Sequence, residues 1–213
     1  MSTYLRKIHA VLLTGAMCLT ILGGCAASDS GQKPQQNSSE NNTETADDSA
    51  QKENDSQTDS LGGFSLQDIT GNTFTDQIFQ EYELTMVNIF TTWCTPCINE
   101  IPDLEKLHVQ MADKNVNIIG IVLDALGEDG KVSEEAVEKA RLLAERTGAT
   151  YPFLIPDADG LNGRLNGIEA VPETFFVDQN GNLTGESYLG SHSLEDWQEI
   201  VEKELARSKG EQP

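Results

Sequence analysis

Cysteine, histidine and positive charge are all scarce in the globular part of this 213-residue chain. Of the four cysteines, Cys18 and Cys25 lie in or beside an N-terminal apolar stretch, which leaves Cys94 and Cys97 alone further on. A disulfide-stapled scaffold needs bridges spread along the chain. One bridge closing so small a loop restricts the unfolded chain only slightly. Beyond residue 25 the histidines are His108 and His192. Without a second cysteine pair, a four-ligand zinc site is short of donors. Lys and Arg number 14 against 35 Asp and Glu, a net charge of −21. An acidic surface of that kind is repelled by phosphate backbones and anionic headgroups, which excludes nucleic-acid binding and charge-driven adsorption to a membrane. Long apolar runs are missing too. The stretch from about Ile8 to Leu22 falls short of the roughly 20 apolar residues that cross a bilayer.

What is present divides the chain. "MSTYLRKIHAVLLTGAMCLTILGGC" places Arg6 and Lys7 before its apolar core, the pattern of a signal peptide over residues 1–24. Its end, Leu22-Gly23-Gly24-Cys25, resembles the lipobox of bacterial lipoproteins. The resemblance implies cleavage before Cys25 and a diacylglycerol on its sulfur, with more than one acyl chain sufficient for stable attachment. A plain signal peptide with an incidental cysteine is the alternative. Residues 25–60 are Ser, Asn, Gln, Asp and Glu with nothing to bury, and are expected to form a disordered acidic tether. A linker of that length reaches about 30–35 Å. Residues 61–206 form the expected domain, and 207–213 a flexible tail.

Within the domain, "FSLQDITGNTFT" alternates around Gly71-Asn72 and predicts a hairpin. "LTMVNIF" (84–90) and "NVNIIGIVLD" (115–124) read as buried strands, and "YPFLIPD" and "ETFFVD" as short ones. Ile98, Ile101, Leu104, Leu107 and Met111 share one helical face. A second helix over 133–147 carries a Ser133 cap, Glu134 and Glu135 in its first turn, and Gly148 after its last. Asn180-Gly181 predicts a tight turn, "LTGESYLG" an antiparallel return, and Ser193 the start of a last helix burying Trp197, Ile200, Val201 and Leu205. This order gives an α/β fold with a mixed sheet flanked by helices. "DADGLNG" (157–163) and "DQNGNL" (178–183) are acidic turns that lack the ligand pattern of a calcium loop.

The chemistry centres on "TTWCTPCIN" (91–99), where a buried strand meets a helix start. Free helix N–H groups favour an anion there, so Cys94 is expected to ionise readily. Pro96 suits a first-turn position, where its missing N–H costs nothing. One turn separates the sulfurs, so a disulfide closes without large backbone movement. Cys94, nearer the open end, is the expected attacking thiolate and Cys97 the resolving thiol. His108 reads as a solvated helix-edge residue and His192 as a loop residue, and neither completes a metal site.

Trp93-Cys94-Thr95-Pro96-Cys97 between strand and helix resembles the thioredoxin superfamily. Pro102 sits where that family kinks its active-site helix, and "GIEAVPETFFVD" (167–178) resembles its cis-proline loop, with Pro172 beside the cysteines and the Val171 backbone facing substrate. The extracytoplasmic TlpA/ResA-like branch matches best, through its N-terminal hairpin, "WCxPCxxExP" (93–102) and the inserted helix near 133–147. In that branch the glutamate matching Glu100 tunes proton transfer; an ordinary exposed helix acid is the competing reading. Thr91-Thr92 and Glu173 depart from common family residues close to the presumed docking surface. The resemblance implies a reductase of client protein disulfides, of the apocytochrome c or methionine sulfoxide reductase type. Its electrons would come from an integral membrane thiol carrier, with no cofactor, no metal and a monomeric, lipid-anchored chain. A disulfide-donating oxidase, a binding lipoprotein on the same scaffold and a peroxidase remain competitors.

Overall fold

A computed structural model describes residues 60–211. The expected signal peptide, the lipidation site Cys25 and nearly all of the tether lie outside the described residues. Among the described residues no helix is long and apolar enough to cross a membrane.

The two strands expected to be buried on both faces form the centre of the sheet. β3 (Leu84–Phe90) and β4 (Val116–Val122) are buried along their whole length and pair in parallel, Leu84 opposite Val116 and Phe90 opposite Val122. β5 (Phe153–Leu154) extends the parallel side, and β6 (Glu173–Asp178) and β7 (Leu183–Leu189) add antiparallel strands beyond β3. The order is β5-β4-β3-β6-β7. β5 is shorter than "YPFLIPD" suggested, because Pro152 and Pro156 bracket it and neither can donate to a ladder.

Alternate side chains of the central strands enter two cores, as the period of two requires. Leu84, Met86, Phe90, Ile118 and Val122 join Leu104, Val137 and Trp197, contributed by α2 (Thr95–Met111), α3 (Glu134–Thr147) and α4 (Leu194–Ser208). Val87, Ile89, Ile119 and Ile121 join Leu61, Leu161 and Phe79, the last from a short helix α1 (Gln77–Gln80) that the sequence pattern did not announce. Gly120 leaves room for two rings against β4. A Cβ there would meet the rings of Phe90 at 3.0 Å and Phe153 at 3.1 Å, which pack edge to face across it.

The expected hairpin is formed by β1 (Ser65–Gln67) and β2 (Thr73–Thr75). It covers the exposed edge of β5, with Ile155 N donating to Gln67 O and Ile69 N to Phe153 O. An otherwise open strand edge is thereby closed. α3 is the crossover between parallel β4 and β5. Ser133 Oγ accepts from Ala136 N and left-handed Gly148 ends the helix, as the sequence indicated. α4 starts at a Ser193–Asp196 capping box and runs through Ser208, so the expected boundary at 206 falls inside its last turn.

Candidate active site

The reactive segment is built by the end of one strand and the start of one helix. After Phe90 the chain turns through Thr91–Trp93, and Thr92 is pinned by Asp124. Its amide donates to Oδ1 at 3.0 Å and its hydroxyl to Oδ2 at 2.7 Å. Cys94 is the N-cap of α2 with extended backbone angles, Thr95 is exposed, and Pro96 occupies the first turn as expected. Pro102 lies inside the same helix.

Cys94 and Cys97 are joined by a disulfide, their Cα atoms 5.3 Å apart. The Cys97 amide donates to Cys94 Sγ at 3.3 Å. That donor belongs to the free N–H set of the first turn and is equally placed to hold a thiolate on the same atom. Cys94 is 6 % exposed against 2 % for Cys97, while neighbouring Trp93 stands 72 % exposed. The Val171–Pro172 peptide bond is cis. Val171 O lies 3.6 Å from Cys94 Sγ, so the loop expected beside the cysteines is there. Gly190 N donates to Pro172 O and fastens that loop to the end of β7.

Glu100 lies one turn beyond Cys97 on the same buried face and is 3 % exposed, so the reading of an exposed helix acid is overturned. Its Oε1 accepts from the His192 amide at 2.7 Å and from Trp197 Nε1 at 2.8 Å. Oε2 has no hydrogen-bond partner among the described residues. Burial pushes the carboxyl above the ordinary glutamate range, against the opposing pull of those two donors and a weaker one from Asn88. The sign of the stability effect follows. A raised native value means that the contribution of Glu100 is complete in acid and is lost as pH rises through that value. Glu100→Gln is therefore expected to gain thermal stability relative to the parent, in the oxidised protein, as pH rises from the ordinary glutamate range through the raised native value, and to level off above it. A pH-independent difference in Tm would show that burial does not perturb the group.

Sequence reasoning missed three parts of the surroundings. His192 is the loop residue expected, but its contacts were not foreseen: its amide holds Glu100 and its ring packs 4.7 Å from Trp197. His108 is half-buried, its ring 6.0 Å from Tyr151, rather than solvated. Glu173 pairs with Arg164, which also donates to Ser187 Oγ at 3.1 Å and lies 4.3 Å over Phe175. That departure therefore ties the turn segment carrying Arg164 to the first residue of β6, next to Pro172. The acidic turn at 178–183 is a hairpin turn, Asp178 Oδ1 accepting from the amides of Asn180 and Asn182.

Residues 58–185 match the AhpC/TSA family. The chain is 34 % identical over 109 residues to the thiol:disulfide interchange protein DsbE of Haemophilus influenzae, covering 51 % of this chain and 52 % of that one. It is 34 % identical over 97 residues to the thiol-disulfide oxidoreductase ResA of Geobacillus kaustophilus, covering 46 % and 49 %. It thus spans about half the length of each. A thiol:disulfide interchange protein of the thioredoxin family from Chlorobium tepidum superposes with a TM-score of 0.55 at 26 % identity, over 67 % of this chain and 93 % of that one. The fold is thioredoxin-like.

Proposed function

Because the chain belongs to the AhpC/TSA family of thioredoxin-like proteins, we propose that it is a thiol–disulfide oxidoreductase that reduces disulfides of client proteins outside the cytoplasm. The observation that carries the reading is the Cys94–Cys97 pair at the start of α2, with the Cys97 amide on Cys94 Sγ and the Val171 carbonyl 3.6 Å away. Relatives bearing oxidoreductase and interchange names support the same chemistry.

In the reduced protein the Cys94 thiolate attacks one sulfur of a client disulfide. A Cys94–client bond forms, the client S–S bond breaks, and one client thiolate leaves. Cys97, deprotonated, then attacks Cys94 Sγ. The Cys94–Cys97 bond closes, the second client thiolate departs, and two electrons have passed to the client. Trp93, Thr95, Pro96 and the backbone of Val171 before Pro172 line the approach, and Glu100 exchanges the proton of the resolving thiol. Electrons return from an integral membrane thiol carrier. Residues 1–24 serve as the signal peptide and Cys25 as the lipidated anchor. The segment to residue 60 is the tether that lets the domain range over the membrane surface.

Direction is a matter of potential, since about 30 mV in a two-electron couple corresponds to roughly 1.4 kcal/mol. Equilibration with glutathione buffers is expected to place the pair more negative than about −200 mV. A value near −120 mV, where strong disulfide donors lie, would reverse the assignment.

A further inference from the structure

Glu100 is a buried carboxyl with an unequal pair of oxygens. Oε1 receives two donors from the α4 region, the His192 amide and the Trp197 indole, while Oε2 receives none among the described residues. The indole is itself fixed. Trp197 is fully buried, the His192 ring abuts it at 4.7 Å, and Tyr188 at 6.2 Å meets it edge-on. A carboxylate held by two N–H groups on one oxygen has its orientation set and its free lone pairs on the other.

We propose that Trp197 is a positioning residue for disulfide exchange: with the His192 amide it holds Oε1 of Glu100, leaving Oε2 as the atom that takes the proton from Cys97. The step balances without a further reactant. As the Cys97 sulfur bonds to Cys94 Sγ, its proton moves to Oε2 and the electron pair of the broken mixed disulfide leaves on the client thiolate. The inference rests on the exchange reading above, and Cys97 and Glu100 are neighbours one turn apart on the buried face of α2.

The titratable and charged groups around Glu100 are few. Asp103 on its own helix and burial both favour the protonated form, and Asn88 of β3 opposes them. His192 adjoins from the loop before α4, and the buried phenol of Tyr151 feels the charge of Glu100. Trp197 Nε1 is the one side-chain N–H of α4 bonded to Glu100 among the described residues, so removing it isolates the effect.

Trp197→Phe keeps the ring and deletes the donor. The carboxyl titration of Glu100, followed by carbon NMR and assigned by its loss in Glu100→Gln, is expected to move up by about one pH unit, the worth of one hydrogen bond to a charged group. The pH profile for reduction of oxidised glutathione by the reduced full chain should move up by the same amount. An unmoved Glu100 titration overturns the hydrogen-bond assignment, and an unmoved profile overturns the role in exchange. In the parent chain the Trp197 indole proton resonance must titrate in step with Glu100; independence of the two also overturns the inference, even if the variant does not fold. Failure of the parent to reduce any disulfide would instead defeat the exchange reading itself.

Discussion

Cys97→Ala is expected to stop turnover while leaving the first half of the reaction intact. Mixed with a disulfide-bonded protein, the reduced variant should accumulate a covalent adduct through Cys94 approaching one per chain. Cys94→Ala should form none on that timescale, and both should lose about 10³-fold or more in turnover, as residues acting as a unit do. The asymmetry has three sources. Cys94 is the more exposed of the two residues. As the N-cap of α2 it receives the Cys97 amide at 3.3 Å, a donor that stabilises an anion on Sγ. It also faces the Val171 carbonyl beside cis-Pro172, where an incoming chain can lie against it. Cys97 sits deeper and has Glu100 one turn behind it. An adduct trapped through Cys97 in the Cys94→Ala chain, with none through Cys94, would exchange the two roles.

Local patterns announced the parts of this fold that local physics decides. β3 and β4 read as mostly apolar runs because both their faces are covered, and α3 carries a cap, first-turn acids and a glycine stop that each act within a few residues. The cysteine pair was legible for the same reason, since its spacing and its helix start lie within five residues. What failed to show was long-range. Trp197 followed the core spacing of α4, but its indole meets a carboxyl 97 positions earlier. Glu100 falls on the apolar stripe of α2 by its spacing from Cys97, Leu104 and Leu107, yet spacing within one helix does not name the distant donors that let a carboxyl stay there. The shortness of β5 was present in Pro152 and Pro156 yet outweighed by the apolar residues between them. Arg164 sits in a turn-rich segment with left-handed Leu161 and Asn162, and its partner Glu173 belongs to another element altogether. Such contacts are choices of the assembled sheet.

Gly185→Ala is expected to destabilise the domain although it adds only one methyl group. β7 is irregular where it pairs with β6, Phe176 facing Thr184 but Thr174 facing Tyr188, and Gly185 lies within that irregularity at φ +72°. The fully buried carboxylate of Glu204 from α4 rests on it. A Cβ at Gly185 would stand 1.7 Å from Oε2 and 2.4 Å from the carboxyl carbon. Glu204 cannot simply retreat. Oε1 accepts from the Tyr188 hydroxyl at 2.6 Å, and Arg207 Nη1 lies 3.4 Å from Oε1 and 3.3 Å from Oε2. Overpacking at about 1–3 kcal/mol and the left-handed backbone at about 1–2 kcal/mol together predict a loss of about 3 kcal/mol. For a domain of this size that is a fall in Tm of about 10 °C. The cause can be separated by a double-mutant cycle. In a Glu204→Ala background the clash is absent and the alanine should cost only its backbone strain, about 1–2 kcal/mol. The two changes should therefore be non-additive by more than about 1 kcal/mol. Additive losses, or a Gly185→Ala chain within about 0.5 kcal/mol of the parent, would mean that α4 does not seat its glutamate against the bare backbone of β7.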